Sequence, residues 1–159
     1  MPKKNAVPVL LCVVLILTTI IFIMHLSETK VAAPASVAAN PGLEKRTIAI
    51  GSTKLTVEVA ATAAQQQQGL SDRPSLAPDA GMLFPLVDPS KDGFWMKDMK
   101  FPLDFIYFDQ GRVVETKENV PTALVPLPFF PNETVDAVLE VNAGWVSSHG
   151  IKVGDASDY

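Results

Sequence analysis

The fold of this chain is decided by the stretch Leu103-Asp-Phe-Ile-Tyr-Phe108, which is followed by the turn sequence Asp109-Gln-Gly111. The stretch is apolar and aromatic except at Asp104, so it lacks the alternation of a strand with one solvated face. Such a run predicts a strand that is buried on both sides. Because the turn leads into a second extended segment at 112–118, we expect a hairpin at the centre of the fold.

More short strands are predicted around this hairpin. Residues 46–50 and 54–60 flank a Gly51-Ser52 turn, and their alternating apolar and polar residues predict a second hairpin with one buried face. Further extended segments are predicted from Met82 onward and at 94–97, 137–141 and 151–155. The chain is therefore expected to form a mainly β (α+β) domain with a compact, mostly antiparallel, barrel-like sheet.

One or two short helices are expected between the strands. Thr62 and Gln65 have the spacing of a capping box, and Gly69 stands where a helix commonly ends. A helical turn is also predicted at 144–149, ended by Gly150. The segments that remain, including 71–81 and the proline-rich 120–134, are predicted to be loops.

The amino-terminal segment is strongly apolar. Residues 6–26 carry no formal charge, and 21 residues of helix would span about 31 Å, which matches the hydrocarbon core of a bilayer. Lys3 and Lys4 precede this run, so the amino terminus is expected to stay cytoplasmic. We expect a signal anchor at 1–27, a single transmembrane helix that makes the cell membrane a partner of the chain.

The rest of the chain is expected to lie outside the membrane. An Ala/Pro/Ser linker at 28–43 is predicted to join the anchor to an extracytoplasmic β-rich domain at 44–159. The alternative is cleavage after a small-residue sequence such as Ser36-Val-Ala38, which would release a secreted domain.

The composition argues against several classes of protein. The chain has 17 acidic and 13 basic residues, and from Glu44 onward 16 acidic and ten basic residues leave a net charge of -6. No nucleic-acid partner is expected, because that partner needs a cationic face. Cys12 and two histidines are too few for a Cys/His zinc site, and no Gly-x-Ser-x-Gly elbow is present. We expect no catalytic residue, metal or cofactor.

The densest polar and aromatic cluster is Phe94-Trp-Met-Lys-Asp-Met-Lys-Phe-Pro-Leu-Asp104. Asp104 interrupts an apolar strand, so it needs a cationic or hydrogen-bonding partner. Glu140 and Asn142 share a strand face, and Glu140 is expected to pair with Arg73 or a lysine. A structural ion pair and a core position for Trp95 are the alternatives to a binding site. The ligand-binding candidates are Arg73, Trp95, Lys97, Asp98, Asp104, Glu140 and Asn142.

Several motifs together resemble those of a known family. In chain order they are Gly69-Leu70, Arg73, Gly81-Met-Leu-Phe84, Phe94-Trp-Met-Lys97, Pro102-Leu-Asp104, Gly111 to Val114, Leu139-Glu-Val-Asn-Ala-Gly144 and Val153-Gly-Asp155. Their order and spacing are similar to those of domain of unknown function 192. The resemblance implies a small β-rich domain, common in prokaryotes and often behind a signal or anchor, with no established reaction.

Two departures from that family limit what can be transferred. Asp98-Met99 stands where many members have Asn-Thr, so the polar chemistry there differs. The segment 120–134 has no cysteine, although many members carry cysteines there. A thiol role of the family would therefore not apply to this chain.

Three functions are considered. The first is a non-catalytic binding or accessory module for an unknown small ligand or envelope protein. The second is a hydrolase of a cell-envelope polymer that uses two of Asp98, Asp104 and Glu140, which must face one cleft at about 5 to 9.5 Å. The third is a protein-interaction module that docks through residues 126–131, whose adjacent phenylalanines would form an apolar patch.

Overall fold

The structure is a computed structural model and describes residues 42–90, 92–123 and 128–159. The prediction of a mostly β domain with short helices is confirmed. Within the described residues the chain forms six strands and two helices: β1 (Glu44–Ile50), β2 (Thr53–Val59), α1 (Ala63–Gln68), β3 (Ala80–Ser90), β4 (Leu103–Asp109), β5 (Arg112–Val120), β6 (Val135–Asn142) and α2 (Trp145–His149).

The strands form one sheet in the order β1-β2-β3-β6-β4-β5. The β2–β3 pair is parallel, because the chain crosses over through α1 between these strands, and the remaining neighbours are antiparallel. The predicted β4–β5 hairpin is confirmed. Its turn residues Gln110 and Gly111 have φ of 49° and 71°, the left-handed values that a tight hairpin turn requires.

Both faces of the sheet are covered. One core contains Leu83, Ile106 and Leu139 and packs against α2, whereas the other contains Met82, Phe105 and Val138. Leu103 to Phe108 are at most 1% exposed, so the prediction of a strand buried on both sides is confirmed.

The predicted barrel-like closure is wrong: the sheet is open, and its edge strands β1 and β5 do not pair with each other. The C-terminal residues instead lie between the two edges, since Ser157 bridges to Ile50 and Ala156 bridges to Arg112. Gly51 donates to the carbonyl of Ala156 at 2.8 Å. The tail therefore occupies the gap that strand-to-strand pairing would close.

Two other local predictions need correction. Residues 94–97 do not form a strand; within them only Phe94 makes a bridge, to Phe129. The β1–β2 hairpin does not have a single buried face, because Glu58 is 9% exposed alongside the buried Val57 and Val59. Alternation predicts a strand's faces but does not show that a later segment will cover its polar face.

One glycine is required by close packing between β3 and β6. A Cβ at Gly81 would lie 2.9 Å from the carbonyl oxygen of Glu140 and 2.7 Å from Leu139. The absence of a side chain lets β3 approach the strand that carries Glu140.

The predicted anchor at 1–27 and most of the predicted linker lie outside the described residues. Among the described residues, no helix is long and apolar enough to cross a membrane.

Candidate functional site

A pocket of about 350 Å³ opens beside α1, and we call it the α1 pocket. Its walls come from α1 and the turn after it, from β3, from the segment 92–99 and from β6. The lining residues are Ala63, Gln66, Gln67, Gln68, Gly69, Leu70, Ser71, Phe84, Leu86, Asp92, Gly93, Phe94, Trp95, Met99 and Glu140.

Local sequence signals hold the helical wall in place. Thr62 and Gln65 form the predicted capping box, and Gly69, with φ of 48°, follows the last turn of α1. The side chain of Gln66 donates to the carbonyl of Pro85 at 2.9 Å, which fastens α1 to β3. The predicted helix is thereby confirmed, and its glutamines form a pocket wall as well as a solvated face.

Aromatic side chains form the opposite wall. The Phe84 and Phe94 rings meet edge to face with their centroids 5.6 Å apart. Phe94 and Phe129 exchange backbone hydrogen bonds at 2.9 and 2.8 Å, which hold the 92–99 segment against the domain. Trp95 lines the pocket with 46% of its surface exposed, so it is not a core residue.

Glu140 is the buried carboxyl group of the pocket. It lies on β6 opposite Met82 of β3 and Phe105 of β4, and it is 6% exposed. Burial raises the pKa of Glu140 to about 8, although attraction to the Arg73 guanidinium opposes the rise. At neutral pH this side chain is therefore mostly a neutral acid that can donate a proton or a hydrogen bond.

Arg73 forms an ion pair with Glu58, a carboxylate that the sequence analysis did not select. Its Nη1 lies 2.6 Å from Glu58 Oε2, and Lys45 Nζ approaches the other Glu58 oxygen at 3.3 Å. The side chains of Arg73 and Glu58 are only 13% and 11% exposed. Glu140 was expected to pair with Arg73 or a lysine, but the ion pair of Arg73 is with Glu58, and Arg73 acts on Glu140 only through electrostatic attraction. Alternation had placed Glu58 in solvent.

Asp104 lies on the other face of the sheet from Glu140. It pairs in register with Val141, whereas Glu140 pairs with Phe105, and residues directly opposite in an antiparallel pair share a face. Asp104 is fully buried and accepts hydrogen bonds from the backbone N–H groups of Asn119 at 2.7 Å and Val146 at 3.0 Å. The expected hydrogen-bonding partners are therefore backbone amides.

This arrangement contradicts the hydrolase pair of Asp104 and Glu140, because their carboxyl groups face opposite sides of the sheet. Asp98 is exposed and is not among the residues that line the α1 pocket. It lies in a tight turn with φ of 57°, and its carbonyl accepts a hydrogen bond from Asp72.

The two remaining candidates, Lys97 and Asn142, form hydrogen bonds with loop residues. Lys97 is exposed, and its carbonyl accepts a hydrogen bond from the Ser71 hydroxyl at 2.8 Å. Asn142 donates to the carbonyls of Leu76 and Ala77 at 3.2 and 3.0 Å. Of the seven sequence candidates, Trp95 and Glu140 line the pocket, and Arg73 attracts Glu140 without lining the pocket.

Sequence reasoning did not single out Asp92, Phe84 or Gln66 as site residues. They lie on three separate segments, and no motif spacing connects those segments. The segment 126–131 is described only from Pro128 onward, where Phe129 packs edge to face on Phe105 and Phe130 is 56% exposed. In the part of the chain that the structure describes, no group of three or more His, Cys, Asp or Glu residues could hold a metal ion.

Two solved structures share this fold. A proposed transcription regulator from Sinorhizobium meliloti 1021 is 32% identical, with a TM-score of 0.70 over 76% of this chain and 97% of that one. A protein of unknown function from Novosphingobium aromaticivorans DSM 12444 is 33% identical, with a TM-score of 0.68 over 81% of this chain and 94% of that one. No curated protein matches this chain at a significant level.

The family model DUF192, described as an uncharacterized ACR, matches residues 46–159. The match includes both helices and nearly the whole sheet, and it contains every lining residue of the α1 pocket. The chain therefore belongs to the DUF192 family, as the order and spacing of its motifs predicted.

Proposed function

We propose that this chain is a membrane-anchored extracytoplasmic binding module whose α1 pocket takes a small, mostly apolar ligand. The observation that carries the proposal is a pocket of about 350 Å³ with aromatic walls and one buried carboxyl group, Glu140. Ligand sites commonly have this size and this mixture of apolar walls with a few polar groups. A cavity of that volume accommodates roughly a dozen waters, or a ligand with about as many non-hydrogen atoms.

The pocket walls favour binding over a purely structural role. Trp95 leaves nearly half of its surface exposed beside the half-buried Phe94, although large aromatic side chains gain most from complete burial. A ligand in the pocket would cover this surface. The uncharged run at 6–26 supports the location of the module, because it is long enough to anchor the chain in a bilayer.

A matched pair of substitutions on α1 tests the pocket. Ala63 is exposed and lines the pocket, whereas the adjacent Ala64 is exposed and lies outside the lining. Ala63→Trp should fill the pocket, and Ala64→Trp should add the same side chain without filling it. In full-length protein purified from native membranes, we expect a small molecule to be retained by the wild type and by Ala64→Trp. Its amount should fall at least about tenfold in Ala63→Trp, as measured by mass spectrometry of the denatured protein.

Equal retention by the wild type and Ala63→Trp would contradict binding in the α1 pocket. The binding module itself would be contradicted if the wild type retained no more small molecule than an unrelated membrane-anchored protein does. Thermal unfolding of both tryptophan variants controls for loss of the fold.

A hydrolase of an envelope polymer is the second candidate, and one observation favours it. Asp92 and Glu140 line the same pocket, and the pKa of Glu140 is raised to about 8 by burial, as that of a general acid is in glycosidases. If this function is correct, the wild type and Glu118→Gln release soluble fragments from envelope preparations. Glu140→Gln and Asp92→Asn should then both fail to release fragments. Absence of release by the wild type would refute the hydrolase function.

A further inference from the structure

Among the described residues, the titratable side chains that line the α1 pocket are all acidic. Among the described residues, its lining contains two acidic side chains, Glu140 and Asp92, and no basic one. Arg73 attracts Glu140 but is not a lining residue, and its Nη1 lies 2.6 Å from Glu58 Oε2. A ligand that enters the pocket therefore meets carboxyl groups without a cation among the lining residues, and this favours a positively charged ligand.

The aromatic wall suits the same kind of ligand. Phe84, Phe94 and Trp95 all line the pocket, and Trp95 is accessible. The faces of aromatic rings attract cations, and this attraction is largest where both groups are desolvated. The rings also provide the apolar surface that an organic cation buries together with its charge.

Within the described part of the chain, Glu140 has no full counter-charge. The described residues supply no hydrogen bond to its carboxyl group, and the guanidinium that attracts it, that of Arg73, is shared with Glu58. Buried carboxylates are stable only when a cation or hydrogen-bond donors compensate for the lost solvation. A ligand ammonium would supply both the charge and the N–H donors.

Resting on the proposed function, we propose that the α1 pocket binds a small organic ammonium, with its N–H groups on the Glu140 carboxylate and its apolar body against Phe84, Phe94 and Trp95. Asp92 at the pocket lining adds a second attractive charge. The expected ligand is therefore an organic molecule with a positive charge.

The binding is linked to pH. Arg73, on the loop after α1, attracts Glu140, while Glu58 on β2 is the ion-pair partner of Arg73. The Glu140 charge in turn acts on Tyr107 of β4, and Asp92 is the other titratable group among the described lining residues. Because the pKa of Glu140 is about 8, an ammonium that binds below this pH must first displace the carboxyl proton. Affinity for an amine should therefore rise by up to about tenfold per pH unit between pH 6 and 8 and level off above.

The test compares 2-phenylethylamine with its neutral isostere 2-phenylethanol, by calorimetric titration of the full-length protein. A simple alkylamine titrates near pH 10, so it stays protonated over the whole range. At about pH 8 we expect the amine to bind the wild type at least about tenfold more tightly than the alcohol. Glu118→Gln, an exposed control on β5, should keep this preference, and Glu140→Gln should lose it.

The full-length protein is titrated in detergent, into which both probes can partition. Subtracting the Glu140→Gln titration removes the heat of this partition. The ammonium inference is overturned if the alcohol binds the wild type as well as the amine does. It is also overturned if Glu140→Gln keeps the preference, or if neither probe binds the wild type.

These outcomes are separate from failure of the binding module. If amine and alcohol bind equally and Ala63→Trp weakens both, the pocket binds ligands but does not select a cation. If neither probe binds while Ala63→Trp still loses a retained small molecule, the module stands and the ammonium class is wrong. If that retention is also absent, both proposals fail.

Discussion

Replacing Asp104 with alanine is expected to lower the free energy of unfolding by roughly 3–5 kcal/mol, because the buried Val146 N–H and the part-buried Asn119 N–H lose their acceptor. Asp104 is fully buried, and its two oxygens accept from Asn119 N–H and Val146 N–H. Val146 lies in the first turn of α2, whose N-cap residue, Gly144, has no side chain to accept a hydrogen bond. Asp104 therefore caps α2 from a strand and also holds the left-handed residue Asn119 at the end of β5.

The measurement is urea denaturation of the full-length protein. Asp104→Asn should lower the free energy of unfolding by about half as much as Asp104→Ala does. Its amide oxygen still accepts one hydrogen bond, whereas its NH2 group faces the other backbone N–H. Asp88→Ala, at an exposed position on β3, is the control and should change stability by less than about 0.5 kcal/mol. A loss below about 1 kcal/mol for Asp104→Ala would show that water or another acceptor replaces the carboxylate.

Glu140 is expected to make the domain less stable as the pH rises from about 5 to 8. Its pKa is about 8 in the folded protein, because burial penalises the charged form, and near the ordinary value of 4.5 in the unfolded chain. Between these values the folded state holds a proton that the unfolded state has released. The free energy of unfolding therefore falls by up to about 1.4 kcal/mol per pH unit. This contribution is fully present below the unfolded pKa and is lost once the pH passes the folded pKa.

Glu140→Gln isolates this contribution, since glutamine has the size of the neutral acid and does not titrate. The difference in unfolding free energy between the wild type and Glu140→Gln should be small near pH 5 and should grow in favour of the variant up to pH 8. Glu118→Gln, exposed on β5, controls for the loss of one acidic residue. Parallel stability curves for the wild type and Glu140→Gln would contradict burial of a neutral carboxyl group at this position.

Much of the fold could be predicted from local patterns. The apolar run at 103–108 and the Gln110-Gly111 turn specify the central hairpin, because burial on both faces and positive φ leave direct traces in residue type. Thr62 and Gln65 specify the start of α1 in the same way. The position of the C-terminal residues between the two sheet edges could not be predicted. Ile50 and Ser157 are more than a hundred residues apart, and their bridge has no local signal in the sequence.

The candidate site could be predicted only in part. Trp95 and Glu140 were chosen because an aromatic cluster and a strand carboxylate are unusual, and both line the pocket. Asp104 was chosen for the same reason but faces the other side of the sheet, because the register of β4 with β6 places it opposite Val141 and not opposite Glu140. Strand period alone cannot relate the faces of two strands whose register is unknown.

Residue types at short spacings specify the β-rich class, the capped helix, the central hairpin and the family. The ion pair of Arg73 with Glu58, the capping of α2 by Asp104 and the place of Glu140 in an aromatic pocket follow from the folded arrangement instead. This difference arises because a buried charge or hydrogen-bonding group is satisfied by whichever segment lies nearest in space. Those segments are joined by the register of β3, β6 and β4, which no short stretch of the chain contains.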